Sequence, residues 1–264
     1  VRGAGKNNLK TVYFCHGLPG SAADSGLLAK ANPILNIIPL ELLKFQPQDI
    51  VQALSEARDM AGEPTKPGGV HLVGFSIGAM AAIKIAAFDP EQVSKLTLIS
   101  PAAPLQLGTF LEDMAGKPIF EMAMKRPGVL ALVTRVQGQI AKLSPSLMTR
   151  VLFSACGPCE RALLDDPSFR RALNDGFHSS FAKHRQTYLA YVKDYVADWR
   201  SELDKLECPV DVWHGTADTW SPLDMSVALK ARIGENCTLH KVENAEHYST
   251  LSHVRLLPAQ GQDT

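Results

Sequence analysis

The 264 residues carry 27 acidic and 27 basic side chains, so the formal net charge is zero. A chain of that balance has no bulk attraction to nucleic acid or to an anionic membrane, and no apolar run approaches the length of a membrane span. Five cysteines, an odd number scattered through a mid-sized chain, point to free thiols in a reducing compartment, so a cytoplasmic location is expected.

The opening residues Val1-Arg2-Gly3-Ala4-Gly5-Lys6 lack the apolar segment of a signal peptide. Within them, Gly3-Ala4-Gly5-Lys6 has neither the preceding strand nor the following hydroxyl of a phosphate loop, and reads as a flexible terminus. Lys10 to Cys15 reads as a buried strand running into His16-Gly17-Leu18-Pro19-Gly20-Ser21. A glycine-rich turn after a strand is where α/β proteins offer backbone to ligands. The Leu18 N–H lies past the last ladder pair and is free to point at a substrate oxygen. A plain Gly/Pro turn is the other reading of the same residues. A short helix over 25–31, a second strand over 34–38 and an amphipathic helix over 48–61 follow, the last with Ile50, Val51, Leu54 and Ala57 on one face. Residues 62–69 form a breaker-rich loop.

Gly74-Phe75-Ser76-Ile77-Gly78 follows, with a strand over 71–75 before it and an Ala-rich helix over 77–88 after it. Gly-x-Ser-x-Gly in a loop would be commonplace. Between a strand and a helix it is the nucleophile elbow, a turn sharp enough to expose the serine hydroxyl and aim the Ile77 N–H at a developing oxyanion. Gly74 and Gly78 are expected to leave room across the turn. Asp89-Pro90 closes the helix, and 95–100 is the next strand. Strand and helix alternate, which implies a mostly parallel sheet with helices on both faces.

The alternation stops at Pro101-Ala102-Ala103-Pro104. Residues 102–205 read as a helical insertion that divides the core into 1–101 and 206–264. Three helically spaced stripes are expected to be packing surfaces: Leu107, Phe110, Leu111 and Met114; Leu130, Val133, Val136 and Ile140; and Tyr188, Tyr191, Val192, Tyr195 and Trp199. Asp166-Pro167 has the form of an N-cap followed by proline at N1. Cys156-Gly157-Pro158-Cys159 spells a redox motif, but it lies between helical stretches with no strand before it, and reads as an inter-helix turn. No second cysteine pair completes a zinc site, and no metal is expected. Alternation resumes with a strand over 209–214, a loop through Asp218, a helix to about 233, a strand over 237–242 and a loop ending at His247. A final helix is expected over about 248–257, with a loose tail over 258–264.

A serine hydroxyl needs a base and a carboxylate that orients the base. Among eight histidines, His247 follows the last strand on the same sheet edge as Ser76, with His253 as fallback. His16 and His214 end strands beside glycines and suit steadying a turn. His71, His178, His184 and His240 have no supporting context. Asp218 follows the strand ending at His214, with Asp224 as fallback. Asp211 lies inside the strand, and Glu112 is too far into the insertion. Taken alone, Asp218 suits a turn. The order Ser76, Asp218, His247, each after its own strand, is what a serine hydrolase of α/β architecture requires.

Through His16-Gly17-Leu18-Pro19-Gly20, Gly74-Phe75-Ser76-Ile77-Gly78, His214-Gly215-Thr216-Ala217-Asp218 with Pro222, and Ala245-Glu246-His247, the chain resembles the α/β-hydrolase superfamily over most of its length. The resemblance implies an esterase- or lipase-like serine hydrolase. Ser76 would be its nucleophile, His247 its base, Asp218 the orienter, and Leu18 and Ile77 the oxyanion-hole N–H donors. The insertion falls where members carry a helical cap, and caps usually shape the acyl or leaving-group pocket. Phe110, Met114, Trp220 and Tyr248 are the pocket candidates. Members usually begin with one or two antiparallel strands before the His-Gly strand, whereas about nine residues precede it here. The expected reaction is cleavage of a small or medium carboxylic ester through an acyl-enzyme, with a small-molecule substrate and no cofactor. Other hydrolysed bonds (amide, thioester, carbon–carbon), a hydrolase-fold binding protein with little turnover, and a redox protein using Cys156 and Cys159 are the alternatives.

Overall fold

A computed structural model describes residues 10–63, 69–154 and 156–256. The terminal glycine–lysine stretch, most of the 62–69 loop and the 258–264 tail lie outside them. Six strands form one sheet: β1 (Lys10–Cys15), β2 (Leu35–Leu40), β3 (Val70–Phe75), β4 (Val93–Ile99), β5 (Val210–Gly215) and β6 (Cys237–Val242), in spatial order β2-β1-β3-β4-β5-β6. Every adjacent pair is parallel. The chain leaves β1 to form β2 on one side and returns to form β3 on the other. The C-terminal ends of β1 and β3 therefore flank a topological switch point, where open α/β sheets bind ligands. Each residue of β3 is buried, as a central strand covered on both faces must be.

The helices of the core are α1 (Ser25–Ala31), α2 (Val51–Ala61), α3 (Gly78–Phe88) and α10 (Leu223–Ile233). Between β4 and β5 lie α4 (Lys117–Lys125), α5 (Pro127–Leu143), α6 (Pro145–Leu152), α7 (Pro158–Leu163), α8 (Pro167–His178) and α9 (Arg185–Val196), with no strand among the described residues of that stretch. Asp166 caps α8 through its carboxylate, which accepts the Ser168 N–H at 2.7 Å, with Pro167 in the first turn. The aromatic stripe from Tyr188 to Trp199 is fully buried.

Three expectations require correction. The stripe from Leu107 to Met114 forms two short 3₁₀ turns, Leu105–Leu107 and Phe110–Asp113, rather than an α-helix. Gly108 separates them in extended backbone, and a side chain there would collide with the Phe110 ring. On α5 the buried face is Leu130, Thr134, Gly138 and Ala141, whereas Val136 of the expected stripe is exposed. Gly138 explains the rotation. A Cβ there would strike the Phe181 carbonyl, so its absence lets α5 press against the π-helical turn Ser179–Lys183. The final helix is only a 3₁₀ turn, Ser249–Ser252. Beyond it the Asn32 side chain donates to the Val254 carbonyl and accepts the Leu256 N–H, both at 3.0 Å, and this ties the chain to the end of α1 instead of leaving it to continue as a helix.

Candidate active site

The elbow is built from backbone constraints on all sides. Ser76 has φ of 56°, a left-handed conformation that costs a non-glycine residue roughly 1–3 kcal/mol. Its N–H donates to the Ile99 carbonyl, and its own carbonyl accepts from Ala79 and Ala102, all within 3.1 Å. The strained residue is thus clamped between β4 and the start of α3. A Cβ on Gly74 would lie 2.6 Å from the Ala79 Cα, so that glycine lets α3 fold back over its own strand. Gly78 serves a different contact from the one expected. A Cβ there would run into the Cys15 and His16 carbonyls, so its bareness lets α3 approach the end of β1 rather than clear the turn. Gly17 completes the approach, with its Cβ position only 3.3 Å from the Ser76 Cβ. Leu18 and Ile77 consequently flank Ser76 at the mouth of one cavity.

The two oxygens of the Asp218 carboxylate face different partners. Its Oδ1 accepts the N–H groups of Trp220 and Ser221 at 2.8 and 3.0 Å, while its Oδ2 meets His247 Nδ1 at 2.8 Å. With Nδ1 donating to the carboxylate, neutral His247 carries its free lone pair on Nε2. Both side chains are buried. Burial opposes the charged forms, yet their mutual attraction and hydrogen bond prevail. The Asp218 carboxyl lies below the usual range and the His247 imidazolium above it, with Glu160 adding to the latter. The Phe75 ring packs on His247 with centroids 4.8 Å apart, and Ser100 Oγ donates to the His247 carbonyl at 3.3 Å. The histidine loop is thereby seated against the strand that carries the elbow.

Two other histidines are buried beside the site, and one of them, His214, has its Nε2 3.5 Å from Asp218 Oδ2. His16 is buried, its Nδ1 is 2.8 Å from the Gly17 carbonyl, and desolvation lowers its pKa to about 4. His214 lies between Ser226 Oγ and the Ser221 carbonyl. Both steady turns, as their positions beside glycine suggested. His253 follows the final 3₁₀ turn and makes no contact with Asp218 among those recorded for the described residues.

The cavity beside Ser76 has a volume of about 320 Å³. Met114 and Trp220 line it, together with Ile119, Phe120 and Val151 from the insertion. Phe110 and Tyr248 are not among its lining residues. Phe110 folds over Gly108, and Tyr248 is packed behind His247 against Phe75, Phe153 and Phe169. A larger cleft of about 580 Å³, at Lys84, Phe88 and Lys193, lies away from these groups.

Two carboxylates that the sequence reading missed join the insertion to the histidine loop. Glu246 accepts N–H groups of Gly157, Cys159 and Glu160 at 2.8, 3.1 and 3.4 Å. In return, Glu160 of α7 accepts the Tyr248 N–H at 2.5 Å. Gly157 is required here because a Cβ would enter the Glu246 carboxylate. Glu160 is 1 % exposed, and burial pushes its carboxyl up to about 7 against the opposing pull of His247. No local pattern signals this clasp, because its halves lie 86 residues apart. Asp24 was missed likewise. It is buried in the His16–Gly20 loop, and burial raises its carboxyl despite N–H donors from Ser21 and Gly17. Cys156 and Cys159 flank the start of α7 as free thiols. Burial and the Glu160 charge push the Cys156 thiol up, the opposite of what a reactive thiolate needs. No group of ligating side chains suited to a metal occurs among the described residues.

A family model described as alpha/beta hydrolase fold matches residues 50–254. The chain is similar to the pimeloyl-[acyl-carrier protein] methyl ester esterase of Methylococcus capsulatus, 28% identical over 191 residues, covering 71% of this chain and 66% of that one. It is also similar to the biotin biosynthesis bifunctional protein BioHC of Teredinibacter turnerae, 27% identical over 191 residues, covering 72% of this chain and 32% of that one. The chain thus spans about a third of BioHC and just under two thirds of the esterase. A 2-hydroxy-6-oxononadienedioate/2-hydroxy-6-oxononatrienedioate hydrolase 2 of Pseudomonas putida is 23% identical over 266 residues, covering 93% and 84%. Solved structures of similar fold include a bromoperoxidase from Bacillus anthracis, with TM-score 0.63, 17% identity, and coverage of 92% and 87%. The enol-lactonase from Burkholderia xenovorans LB400 has TM-score 0.61, 14% identity, and coverage of 93% and 87%.

Proposed function

The chain belongs to the alpha/beta hydrolase fold family, and from that premise we propose that it is a serine hydrolase of small or medium carboxylic esters, with 102–205 as its cap. One observation carries the reading: Asp218 and His247, 29 residues apart, meet through a buried 2.8 Å contact behind an elbow whose serine is held at positive φ.

In this reading, Ser76 Oγ attacks the acyl carbonyl while its proton passes to His247 Nε2. The carbonyl oxygen becomes an oxyanion, which the N–H groups of Leu18 and Ile77 stabilise. One such donor is worth about 3 kcal/mol of barrier. Asp218 stabilises the imidazolium that forms. Collapse breaks the bond to the alkoxy oxygen, which takes the proton from His247 and leaves as alcohol. Water then attacks the acyl-enzyme by the same route, its proton going to His247 and on to Ser76. Met114, Trp220 and the insertion side of the cavity would surround the acyl or alcohol portion.

A fluorophosphonate probe tests the nucleophile, with Ser76→Ala alongside, and p-nitrophenyl esters from acetate to decanoate size the acyl site. Labelling lost in the variant and turnover of the esters is the expected result. A wild type that neither labels nor turns over overturns the reading. A second reading, hydrolysis of a carbon–carbon bond, draws on the name of the Pseudomonas putida relative. It would be favoured by a labelled Ser76 without turnover of any ester in the series.

A further inference from the structure

On α5 the rotated packing face has a counterpart. With Leu130, Thr134, Gly138 and Ala141 turned inward, Val129, Leu132, Val136 and Leu143 are left outward, with Leu132 at 61 % and Leu143 at 84 % exposure. At about 100° per residue these four fall in one stripe roughly 60° wide. The next helix, α6, adds two more exposed aliphatics, Leu147 and Val151. Most of the exposed large hydrophobic side chains of the described residues are gathered here. Single exposed aliphatics are ordinary, but a contiguous row marks an interaction surface.

The charges around the row are one-sided. Arg135 and Lys142 of α5, Arg150 of α6 and Arg126 at the N-cap of α5 are exposed and make no ion pair among those recorded for the described residues. Glu121 is the one acid between residues 117 and 152, and it is occupied by Lys125 at 3.2 Å. Lys117 is likewise paired, with Glu112. The zero net charge of the chain conceals this segregation.

Charge and side-chain type select the occupant. A second copy docked across a two-fold axis would set like charges against each other. The row is aliphatic, whereas protein hot spots favour Trp, Tyr and Arg over Leu and Val. An aliphatic ridge with basic flanks fits a helix lying in the surface of an anionic lipid layer. No helix of the described residues is long and apolar enough to cross a membrane, so the fit is to a surface. The row also borders the cavity, because Val151 belongs to both and Gln137 of α5 lines the wall.

We propose that the outer face of α5 and α6 docks on an anionic lipid surface and presents the Ser76 cavity to amphiphilic esters held there. The docking stands on the face itself. Only the choice of substrate rests on the hydrolase reading. The test is sedimentation of the full chain with phosphatidylcholine vesicles, with and without phosphatidylglycerol, at low and high salt. The expected result is binding to the phosphatidylglycerol vesicles that weakens with salt. The pair Leu132→Gln with Leu143→Gln should reduce it about tenfold or more, and Arg135→Gln with Lys142→Gln about tenfold. Both pairs should leave p-nitrophenyl acetate turnover unchanged, since none of the four lines the cavity. Absence of wild-type binding, or binding indifferent to both pairs, overturns the proposal. So does a concentration-dependent dimer that the leucine pair dissolves while vesicles are ignored. Vesicle binding without ester turnover would strike the hydrolase reading and leave the docking intact.

Discussion

The turn at Ser76 and the helix α5 border the same cavity, yet they tolerate change very differently. At the turn, three backbone hydrogen bonds fix the residue, and Gly78 is pressed wholly, Gly74 chiefly, against main chain. Main chain cannot be repacked, so these contacts leave no slack. On α5 one face is equally tight, at Gly138, while the other meets only solvent. A parallel sheet buried on both faces dictates its crossings almost atom by atom. A helix laid over it needs one good face, and the other is free to evolve a different use. The Glu160–Glu246 clasp ties the insertion that carries α5 to the histidine loop.

Substitutions in the two regions should differ accordingly. The largest effect is expected for Ser76→Ala, with ester turnover reduced by about 10³-fold or more and thermal stability changed little, as read by kinetics and calorimetry on one preparation. Next is Gly78→Ala. Its methyl would meet two carbonyl oxygens, and a loss of several kcal/mol in denaturant unfolding is expected, roughly 3 or more. Loss of less than about 1 kcal/mol would mean that α3 can shift, and that the turn is less rigid than the contacts imply.

Glu160→Gln tests the joint through pH. In the proposed mechanism turnover needs neutral His247, whose pKa is raised, so activity should fall on the acid side with a midpoint above the ordinary histidine value of about 6.5. The Glu160 charge contributes to that elevation. Removing it should lower the His247 pKa and move the acid limb of kcat/KM to lower pH. A merely structural role would scale activity at every pH and leave the limb in place. Stability gives an independent sign. The Glu160 carboxyl is raised to about 7 in the folded chain, so its stabilising contribution is complete below its ordinary pKa of about 4.3. That contribution is lost as pH rises through 7. The Tm of Glu160→Gln should therefore gain on wild type between pH 5 and pH 8. The smallest effect is expected on the outer face of α5, where Val136→Ala should change stability by no more than about 0.5 kcal/mol.

How much was readable in advance follows the same division. Most strands of the sheet announce themselves as short runs rich in apolar residues with a glycine, proline or acid within two residues of the end, and local chemistry sets those ends. The positions of Ser76, Asp218 and His247 after β3, β5 and β6 were legible for that reason, because the loops at one sheet edge converge wherever a parallel sheet forms. The stripe on α5 was misread because periodicity reports that a helix is amphipathic without saying which arc is covered. A single glycine, Gly138, chose the arc by admitting the Phe181 backbone. The final helix failed for a similar reason, since Asn32 lies more than two hundred residues from the segment it ties to the end of α1.

The alternation of strand and helix, the elbow around Ser76, the interruption after Pro101 and the order of the three candidate site residues are written in the linear chain. These rest on short-range chemistry: side-chain periodicity, glycine and proline at turns, and the direction of a parallel sheet. Only the tertiary structure decided that Gly78 serves β1, that Phe110 and Tyr248 are absent from the cavity lining, that Glu160 and Glu246 join the insertion to the histidine loop, and that α5 turns a basic, aliphatic face outward. Each of these depends on where distant segments come into contact, and a linear pattern holds no information about contact until the chain has packed.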